Sequence, residues 1–357
     1  MAEYELEIIP LEEKNQVKNI LNKVPEHDIY THPNYLKLFQ DYTRNKAIYV
    51  YYGNKKDFIL IPYFERSVNF FGYDDSDYID LVSPWYYGGP CYNVNNKKLL
   101  KEMFSNFIER FGEYCKNNKV ITEFQRLNPL LKNHELYKNG SKIFYDRDIV
   151  YIDLTKNLEN INKEYTKHTR KNIKKAKING LGVYPDESKK SISKFIKIYS
   201  ESMKKKNAKD YYYFNETFFE NLFKKFKGEV RLFNVEYNGK VICSSIVLGI
   251  HNILHDYLRG VNSDYLHLRP NDILIDEIIK WAKSSNYQYF CLQGGVSSSD
   301  DDGIFRFKKS FSSTTSKFFT YRKIHNLDEY IKLCGINEKK QIDLKYENSK
   351  FFPEYAR

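Results

Sequence analysis

Residues 253–311 read ILHDYLRGVNSDYLHLRPNDILIDEIIKWAKSSNYQYFCLQGGVSSSDDDGIFRFKKSF, and this stretch decides the fold of the second half of the chain. Its first part, Ile253–Gly260, predicts a strand, and apolar residues at helical spacing predict a helix that begins near Asn271. A second strand is predicted over Tyr287–Leu292. A strand, a helix and a strand in that order are typical of a βαβ unit, in which unpaired N–H groups at the helix N-terminus attract anions.

Two features after the second strand indicate a site rather than plain packing. Gln293-Gly294-Gly295 ends the strand with a backbone break, where a ligand can approach the main chain closely. Phe305–Lys309, FRFKK, is predicted to be a short strand with cations on one face and aromatic rings on the other. The acidic run Asp300–Gly303 lacks the spacing and the final Glu of an EF-hand, so we expect a mobile lid or loop there.

The same order of elements occurs earlier in the chain. A strand over Tyr78–Val82, a glycine-rich loop over Ser83–Pro90, a helix over Lys97–Asn117 and a strand over Val120–Leu127 are predicted. The two copies share negligible sequence identity, so the repeat is one of architecture only. Because 357 residues is about twice the usual size of one domain, two similarly built α/β domains are expected.

Several of these motifs together resemble the FemAB group of GNAT-fold acyl- and aminoacyltransferases, which includes the peptidoglycan-bridge aminoacyltransferases. In the second half, the resemblance lies in the Tyr-x-x-Gly strand end at Tyr257–Gly260, in Gly294-Gly295, and in the Phe-x-Phe-Lys-x-x-Phe motif of Phe305–Phe311. Three other stretches resemble the group's first-domain loop, its basic helix and its acceptor-side segment: Ser83–Pro90, Thr169–Ala176 and Met203–Phe214. The matches follow the family's order and are moderately specific only as a set.

The resemblance implies an α/β (α+β) fold with two tandem GNAT-like domains, each a mixed twisted sheet flanked by helices. We expect domain 1 over residues 1–148 on the acceptor side, domain 2 over 149–340 on the donor and catalytic side, and a polar C-terminal tail over 341–357. Some members of the group carry a coiled-coil arm in the second domain. Sustained heptads are missing from this sequence, so such an arm is not expected here.

Composition narrows the class of partner. Lys and Arg number 57 against 46 Asp and Glu, a net charge of +11. This balance favours anionic partners such as a nucleotide-linked substrate, a tRNA or an anionic membrane face, although a solvated lysine-rich surface explains it equally well. DNA is not expected as a partner. Peripheral association with a membrane stays open.

Cysteine usage and hydropathy indicate the compartment. The five cysteines are odd in number and lack CxxC spacing, which favours free thiols in a reducing cytoplasm. The acidic N-terminus, MAEYELEIIPLEEK, does not read as a signal peptide. The sequence has no apolar run near the roughly 18–20 residues that a membrane span needs. A cytoplasmic protein without a membrane span is therefore predicted.

Amide formation from an ester or thioester requires an unprotonated amine, two substrates held together, and positive charge or N–H dipoles at the developing oxyanion. Lys308 matches the lysine of the family's Phe-Lys motif, and the resemblance assigns it to the donor carbonyl or a nearby phosphate. Taken alone, it reads as an exposed strand lysine beside Lys309. Strand alternation predicts that Arg306 lies on the same face, so that the two cations clamp an anion.

Two further catalytic candidates are tyrosines. Tyr257 and Arg259 lie two apart on one predicted strand and are expected to face the same side. Tyr257 is a candidate to orient the amine or transfer a proton, and Arg259 to hold a phosphate or carboxylate; a buried structural tyrosine is an equal alternative. Asp256 is expected to point the other way and to be structural. Tyr212, in the run Tyr211–Tyr213, is the third catalytic candidate.

The donor's carrier is polyanionic, whether coenzyme A or a tRNA 3′ end. The loop after the first strand contains Arg269 at the helix start but lacks the glycines of the pyrophosphate loop in coenzyme A-dependent GNAT enzymes, which weakens acyl-coenzyme A as donor. Arg170, among many lysines on a predicted helix over Asn157–Asn179, is a candidate tRNA contact; a solvated face is the alternative. No permanently bound cofactor is expected, only aminoacyl-tRNA or acyl-coenzyme A as co-substrate.

The remaining candidates are substrate-binding residues of two loops, which suit sugar stacking or close approach of a ligand. They are Trp85, Tyr86, Tyr87, Gly88 and Gly89 in the first half, and Gln293, Gly294 and Gly295 in the second. Packing between domains is the alternative for the first set. No metal is expected, since the histidines lack carboxylates at ligand spacing, and neither a GxSxG elbow nor a phosphate-cradling GxxxxGK[ST] loop occurs.

The resulting prediction is an acyl- or aminoacyltransferase that forms an amide on an amine of a cell-envelope precursor. The resemblance implies either a peptidoglycan stem peptide or an amino sugar of a surface polysaccharide as acceptor. Net charge and the missing glycine loop favour aminoacyl-tRNA as donor, and the missing arm favours acyl-coenzyme A. The alternative is a non-catalytic GNAT-like protein that binds an anionic glycan or nucleotide ligand.

Overall fold

Two units, each built around its own sheet, make up the computed structural model of this chain. Unit 1 comprises Met1–Asp146 and Phe318–Arg357, and unit 2 comprises Arg147–Lys317. The structure describes residues 4–73, 76–137, 142–335 and 351–356. Both units contain one parallel strand pair whose strands are joined through a helix, within a sheet that is otherwise antiparallel.

Unit 1 begins with the strands β1 (Glu5–Pro10), β2 (Lys46–Gly53), β3 (Phe58–Ser67), β4 (Ile79–Val82), β5 (Cys91–Asn93) and β6 (Val120–Leu127), and the helices α1 (Lys14–Leu21), α2 (Pro33–Thr43) and α3 (Lys97–Asn117). The strand order is β1-β2-β3-β4-β6, with β5 paired to β3. Asn96 caps α3 by accepting from the N–H groups of Lys98 and Leu99. Apolar residues at helical spacing then bury one face of α3 against the sheet.

Unit 2 contains the strands β7 (Ile143–Asp153), β8 (Gly182–Pro185), β9 (Val230–Tyr237), β10 (Lys240–Ile250), β11 (Ile253–Val261) and β12 (Tyr289–Gln293), and the helices α4 (Leu158–Glu164), α5 (Lys167–Ile178), α6 (Lys189–Lys205), α7 (Glu216–Lys225), α8 (Pro270–Ser284) and α9 (Gly303–Lys309). The strand order is β7-β12-β11-β10-β9-β8. Its core lies between this sheet and the helices α5 and α8, where Leu274, Ile275 and Ile278 are fully buried.

The chain then returns to unit 1 as β13 (Thr315–Ile324) and α10 (Leu327–Cys334). β13 pairs antiparallel with β6 over Phe319–Ile324, and this pairing is why Phe318–Arg357 groups with unit 1. The predicted second domain, 149–340, wrongly included that segment. Of the predicted polar tail, 341–350 and 357 lie outside the described residues, while Phe352 is buried against Tyr330 rather than in a polar tail.

Two predicted elements differ from the structure. Phe305–Lys309 is not a strand but part of the helix α9, which Asp302 caps and in which Phe307 packs on Phe311 four positions later. The single helix predicted over Asn157–Asn179 is two helices, because the chain is extended at Tyr165 and Thr166 and Thr166 caps α5.

The described helices are short relative to a coiled-coil arm. The longest, α3, has 21 residues, and no sustained pair of long helices occurs in the described part of the chain. Among the described residues, no helix is long and apolar enough to cross a membrane. The α/β class with two GNAT-like units and no coiled-coil arm is therefore confirmed.

Candidate active site

In unit 2, the parallel strands β11 and β12 separate after only three residue pairs. They pair at Ile253 with Tyr289, Leu254 with Phe290 and His255 with Cys291. From Asp256 onward, β11 pairs with β10 on its other side, whereas β12 becomes irregular between Cys291 and Gln293. The result is a wedge, here named the fork, that opens between the ends of the two strands. Main-chain groups on the facing edges of such an opening are free to bind a ligand.

A hydrogen bond joins the two sides at the base of the fork. The buried side chains of His255 and Gln293 lie 3.1 Å apart at Nδ1 and Nε2. Gln293 adopts a left-handed backbone conformation, with φ of 67°. A non-glycine residue in this region costs about 1–3 kcal/mol. The surrounding contacts therefore maintain the sharp change of direction that the chain makes as it enters Gly294.

A bulge in β11 determines which side chains line the fork. The ladder pairs Ile246 with Leu258 and Val247 with Asp256, so Tyr257 is an extra residue without an opposite partner. Tyr257 itself is 2% exposed. Strict alternation, on which the sequence-based assignment of faces depended, is therefore interrupted at this position.

As a consequence, Asp256 and Arg259 lie on one face and form an ion pair of 2.6 Å. The Ser245 hydroxyl donates to the other oxygen of Asp256 at 2.7 Å. The prediction that Asp256 points away from Arg259 is wrong, because the extra residue shifts the alternation by one. Arg259 Nε is buried and has no hydrogen-bond partner among the described residues.

The loop that follows β12 is held from two directions. Arg147 donates to the carbonyl oxygens of Gly295 and Val296 at 2.7 and 3.0 Å. Lys308 Nζ donates to the carbonyl oxygen of Gly294 at 2.6 Å. Gly294 and Gly295 are thus main-chain anchors of the fork, and a Cβ at Gly294 would lie 2.7 Å from the Arg147 side chain.

Asp302 connects this loop to α9. Its carboxylate accepts from the N–H groups of Val296, Ser297, Ile304 and Phe305, each at 2.9 Å. Burial by itself raises the pKa of Asp302, but these four N–H groups hold it below its usual value. The acidic run is thus a clasp that anchors α9, and the prediction of a mobile lid there does not describe Asp302.

Lys308 lies on α9 with its ammonium group directed at the fork. Burial of that group lowers the pKa of Lys308 to about 8. Four neighbours also act on it: Asp256, Cys291 and Asp302 raise the pKa, and Arg259 lowers it. At neutral pH the group is therefore mostly a cation, and its hydrogens that are not bonded to Gly294 can be donated to a ligand oxygen.

Arg306 does not join Lys308. Residues two apart in a helix point about 200° apart, so the predicted two-cation clamp, which assumed a strand, is wrong. Arg306 is exposed and lies 3.8 Å from the exposed Asp301. Lys309 packs instead over the ring of Phe305, at 5.6 Å from its centroid.

The start of α8 is an anion-compatible helix end. Arg269 adopts a left-handed conformation there, Pro270 occupies the first turn, and no side chain caps the helix. Arg269 Nε is buried without a hydrogen-bond partner in the described residues. Against an anion stands Asp272, which accepts from Asn172 at 2.9 Å; burial raises the pKa of Asp272 and so disfavours its charge.

A further cation near the fork was missed in the sequence. Lys206 follows α6, and burial and Arg259 both lower the pKa of Lys206. Its only sequence signal is the run Lys204–Lys206, which resembles any solvated lysine cluster. Arg147 and Ser245 were missed for the same reason, since their roles depend on contacts with residues distant in the chain.

The structure places other candidates outside the fork. Arg170 donates to the carbonyl oxygens of Tyr165 and, at 3.3 Å, Asn162, at the junction of α4 and α5. Tyr212 lies in a short 3-10 turn, where its carbonyl oxygen accepts from the Tyr199 hydroxyl at 2.8 Å and its ring contacts Tyr211. These contacts hold the local structure and leave the predicted roles of Arg170 and Tyr212 as predictions.

The predicted substrate loop of unit 1 is largely packed. Trp85 stacks on Phe39, and Tyr87 is buried with its ring against Phe318. Tyr86 has a positive φ of 72°. Gly88 and Gly89 are both fixed by Asn133, whose amide donates to the Gly88 carbonyl at 2.9 Å and lies 2.5 Å from a Cβ built at Gly89.

The described residues do not form a metal site. No group of three or more His, Cys, Asp or Glu side chains in the described ranges is arranged to hold an ion. The chemistry available at the fork is therefore that of cations and main-chain dipoles placed around one opening in a sheet. Such a set can bind and polarise the carbonyl of an ester or thioester.

A fork between parallel strands, a helix that starts beside it and a cation directed into it define an acyltransferase of the GNAT fold. Residues 163–309 match the family model described as an acetyltransferase (GNAT) domain. Unit 2 therefore contains a GNAT acyltransferase domain, and the resemblance noted in the sequence is confirmed. No curated protein matches the sequence.

Solved structures of similar fold cover nearly the whole chain. FemX has a TM-score of 0.68 at 12% identity, over 92% of this chain and 99% of FemX. A C-terminal domain described as that of a lysylphosphatidylglycerol synthetase, from Agrobacterium fabrum, has a TM-score of 0.56 at 12% identity, over 89% of this chain and 93% of that one. L-PGS from Bacillus licheniformis has a TM-score of 0.53 at 12% identity, over 88% and 93%. At these identities the likeness concerns the fold alone.

Proposed function

We propose that this protein is a cytoplasmic acyl- or aminoacyltransferase that forms an amide on an amine of a cell-envelope precursor. The observation that carries the proposal is the Lys308 ammonium group at the open end of the fork, 2.6 Å from the Gly294 carbonyl oxygen. The acceptor class, a peptidoglycan stem peptide or an amino sugar, comes from the family resemblance of the motifs at Tyr257–Gly260 and Phe305–Phe311. The fold likeness to FemX supports the same choice.

The proposed reaction begins with the donor ester or thioester carbonyl placed in the fork. The acceptor amine attacks the carbonyl carbon, and a C–N bond forms as negative charge develops on the carbonyl oxygen. Lys308 donates to that oxygen and stabilises its charge. The C–O or C–S bond then breaks, and the proton lost by the amine leaves with the alcohol or thiol of the carrier. Tyr257 and Tyr212 are proposed to orient the amine.

The carrier is proposed to be polyanionic. Arg259 and Arg269 each have a buried Nε without a hydrogen-bond partner in the described residues, and both lie on elements that flank the fork. Such unsatisfied donors cost about 1–3 kcal/mol each, which a phosphate or carboxylate of the donor would offset. The exposed basic face of α5 around Arg170 is the proposed contact for a tRNA; acyl-coenzyme A is the other donor of the same chemistry.

The deciding experiment offers the protein a panel of labelled aminoacyl-tRNAs and acyl-coenzyme A thioesters together with cell-wall precursors. Consumption of one ester that depends on the precursor, with label in an amide product, is the expected result. For a tRNA donor, the dissociation constant should rise steeply with salt as phosphate contacts are lost. Binding of precursor without consumption of any donor would instead support a non-catalytic binding protein.

A further inference from the structure

Asp256 occupies a position that the acyl-transfer chemistry described above does not require. It follows His255, the last residue of β11 that pairs with β12, and is therefore the first side chain of β11 inside the fork. Its side chain is 9% exposed. A carboxylate removed from water to that extent is costly unless it is paired and hydrogen-bonded.

Both oxygens of this carboxylate are engaged. Oδ2 forms the 2.6 Å ion pair with Arg259, and Oδ1 accepts from Ser245 at 2.7 Å. Ser245 lies on β10 directly opposite Arg259, so the contact crosses to the neighbouring strand. A side chain fixed at both oxygens holds the guanidinium in one orientation, which a long and flexible arginine does not adopt by itself.

We propose that Asp256 is a positioning residue of the donor site, which fixes the guanidinium of Arg259 beside the fork and supplies the negative charge that keeps Lys308 an ammonium ion. This assignment rests on the proposed transfer reaction for its purpose. Its physical content, that Asp256 acts on Lys308 and Arg259, can be measured without any substrate.

The charges around Lys308 predict the sign of the effect. From β11, the carboxylate of Asp256 favours the charged lysine and Arg259 disfavours it; from β12 and the clasp loop, Cys291 and Asp302 favour the charged form. Removing the charge of Asp256 should therefore make Lys308 lose its proton more easily. Removing the charge of Arg259 should have the opposite effect.

The test measures the pH dependence of chemical acylation of Lys308. The full chain is treated with trace labelled acetic anhydride between pH 6 and 10, and the rate at Lys308 is read by peptide mass spectrometry. The wild-type midpoint is expected at about pH 8. Asp256→Asn should lower it by about one pH unit, because an opposite charge at close range shifts a pKa by about 1–3 units.

Matched variants make the result specific. Asp301→Asn removes an exposed carboxylate of the same loop region, 95% exposed, and should leave the midpoint unchanged. Asp256→Glu keeps the charge and should also stay near the wild-type midpoint. If Asp256→Asn does not fold, Arg259→Gln provides the second measurement and should raise the midpoint. An unchanged midpoint in Asp256→Asn, or in Arg259→Gln, would overturn the assignment.

Kinetics separate this assignment from the proposed function. With the donor found in the panel experiment, Asp256→Asn should raise the KM for donor about tenfold, because Arg259 loses a charged hydrogen-bond partner. The alkaline limb of its pH profile should move to lower pH with the acylation midpoint, a shift that a merely structural role would not produce. If wild-type protein consumes no donor, the proposed function fails, while the acylation midpoints still decide the role of Asp256.

Discussion

The parallel strand pairs of the two units have opposite fates. In unit 1, β4 pairs with β6 from Ile79 to Val82, and the loop that follows continues to bond to β6. Ser83 donates to the Phe124 carbonyl at 2.9 Å, and Gly88 donates to the Arg126 carbonyl at 2.7 Å. In unit 2, pairing between β11 and β12 ends after three residues. The same strand–helix–strand arrangement is thus closed in one unit and open in the other.

The charges follow the same division. Beside the closed pair of unit 1 lies a buried acidic network, in which Glu123 accepts from Tyr63 at 2.5 Å and from Gln125 at 3.1 Å and pairs with His325 at 3.1 Å. The fork of unit 2 instead faces cations. The comparison teaches that polar groups with all partners supplied by protein stabilise a unit, whereas cations around an opening await a ligand.

The largest expected effect tests the closed side of the comparison. Glu123→Ala leaves Tyr63, Gln125 and His325 without their acceptor in a region where Glu123 is 1% exposed. Breaking a buried pair in this way costs about 3–5 kcal/mol of unfolding free energy, measured by urea denaturation. Glu102→Ala, at an exposed position of α3, is the matched control and should change stability by less than about 0.5 kcal/mol.

The same network has a pH signature. Burial by itself raises the pKa of Glu123, but His325, Tyr63 and Gln125 together hold it below its usual value. A carboxyl group whose pKa is lower in the folded state contributes stability above its unfolded pKa, roughly 4.3, and loses it as the pH falls. Acid should therefore destabilise wild-type protein more than Glu123→Ala; equal loss in both would contradict the role of this network.

The next effect tests the open side. Lys308→Ala should reduce transfer about 10²–10³-fold, the usual loss when one donor to a developing oxyanion is removed. Thermal unfolding should change little, because Lys308 contributes a single hydrogen bond to Gly294. Lys309→Ala, which alters the exposed neighbour, is the control and should keep full activity. Wild-type turnover in Lys308→Ala would remove this residue from the mechanism.

A smaller effect tests whether the clasp positions Lys308. A Cβ at Gly295 would lie 2.5 Å from Oδ1 of Asp302, so Gly295→Ala must displace the carboxylate that anchors α9. We expect transfer to fall about tenfold to a hundredfold, since a misplacement of about 1 Å can cost 10²-fold. Gly303→Ala is the control, because no atom lies within 4 Å of its Cβ position. Equal rates in both variants would argue against the clasp.

The smallest effect is the pH dependence of transfer. The pKa of Lys308 is about 8, so the ammonium form predominates below that pH and is lost above it. At saturating donor, the part of the rate that depends on the cation should be halved near pH 8 and fall about tenfold per unit beyond it. A rate that keeps rising to pH 10 would mean that the neutral amine is the active form.

Much of the fold is readable in the sequence because it depends on local periodicity. The helix Lys97–Asn117 and the strand Val120–Leu127 have the predicted bounds, since strong apolar spacing and the capping residue Asn96 agree at those ends. Phe305–Lys309 is the instructive failure. Five residues fit both an alternating strand and one helical turn, and the signal that separates them, Asp302 as cap, was interpreted as loop.

The candidate site was less readable. Lys308, Arg259 and the two glycines were singled out from motifs, but their faces were assigned by alternation, and a single extra residue at Tyr257 changed that assignment. Bulges depend on how two strands pair, so one strand's sequence does not reveal them. Arg147 and Ser245 act through partners in other parts of the chain, Arg147 some 148 positions away, and no local pattern marks them.

The sequence by itself determined the order of elements, the architectural repeat and the class of enzyme, because apolar spacing, turn residues and short motifs act within a few positions. Only the tertiary structure decided that one strand pair closes and the other opens, that the FRFKK segment is a helix, and that Asp256 faces the fork. Each of those outcomes depends on hydrogen bonds and ion pairs between distant residues, whose free energies exist only once the chain has brought their partners together.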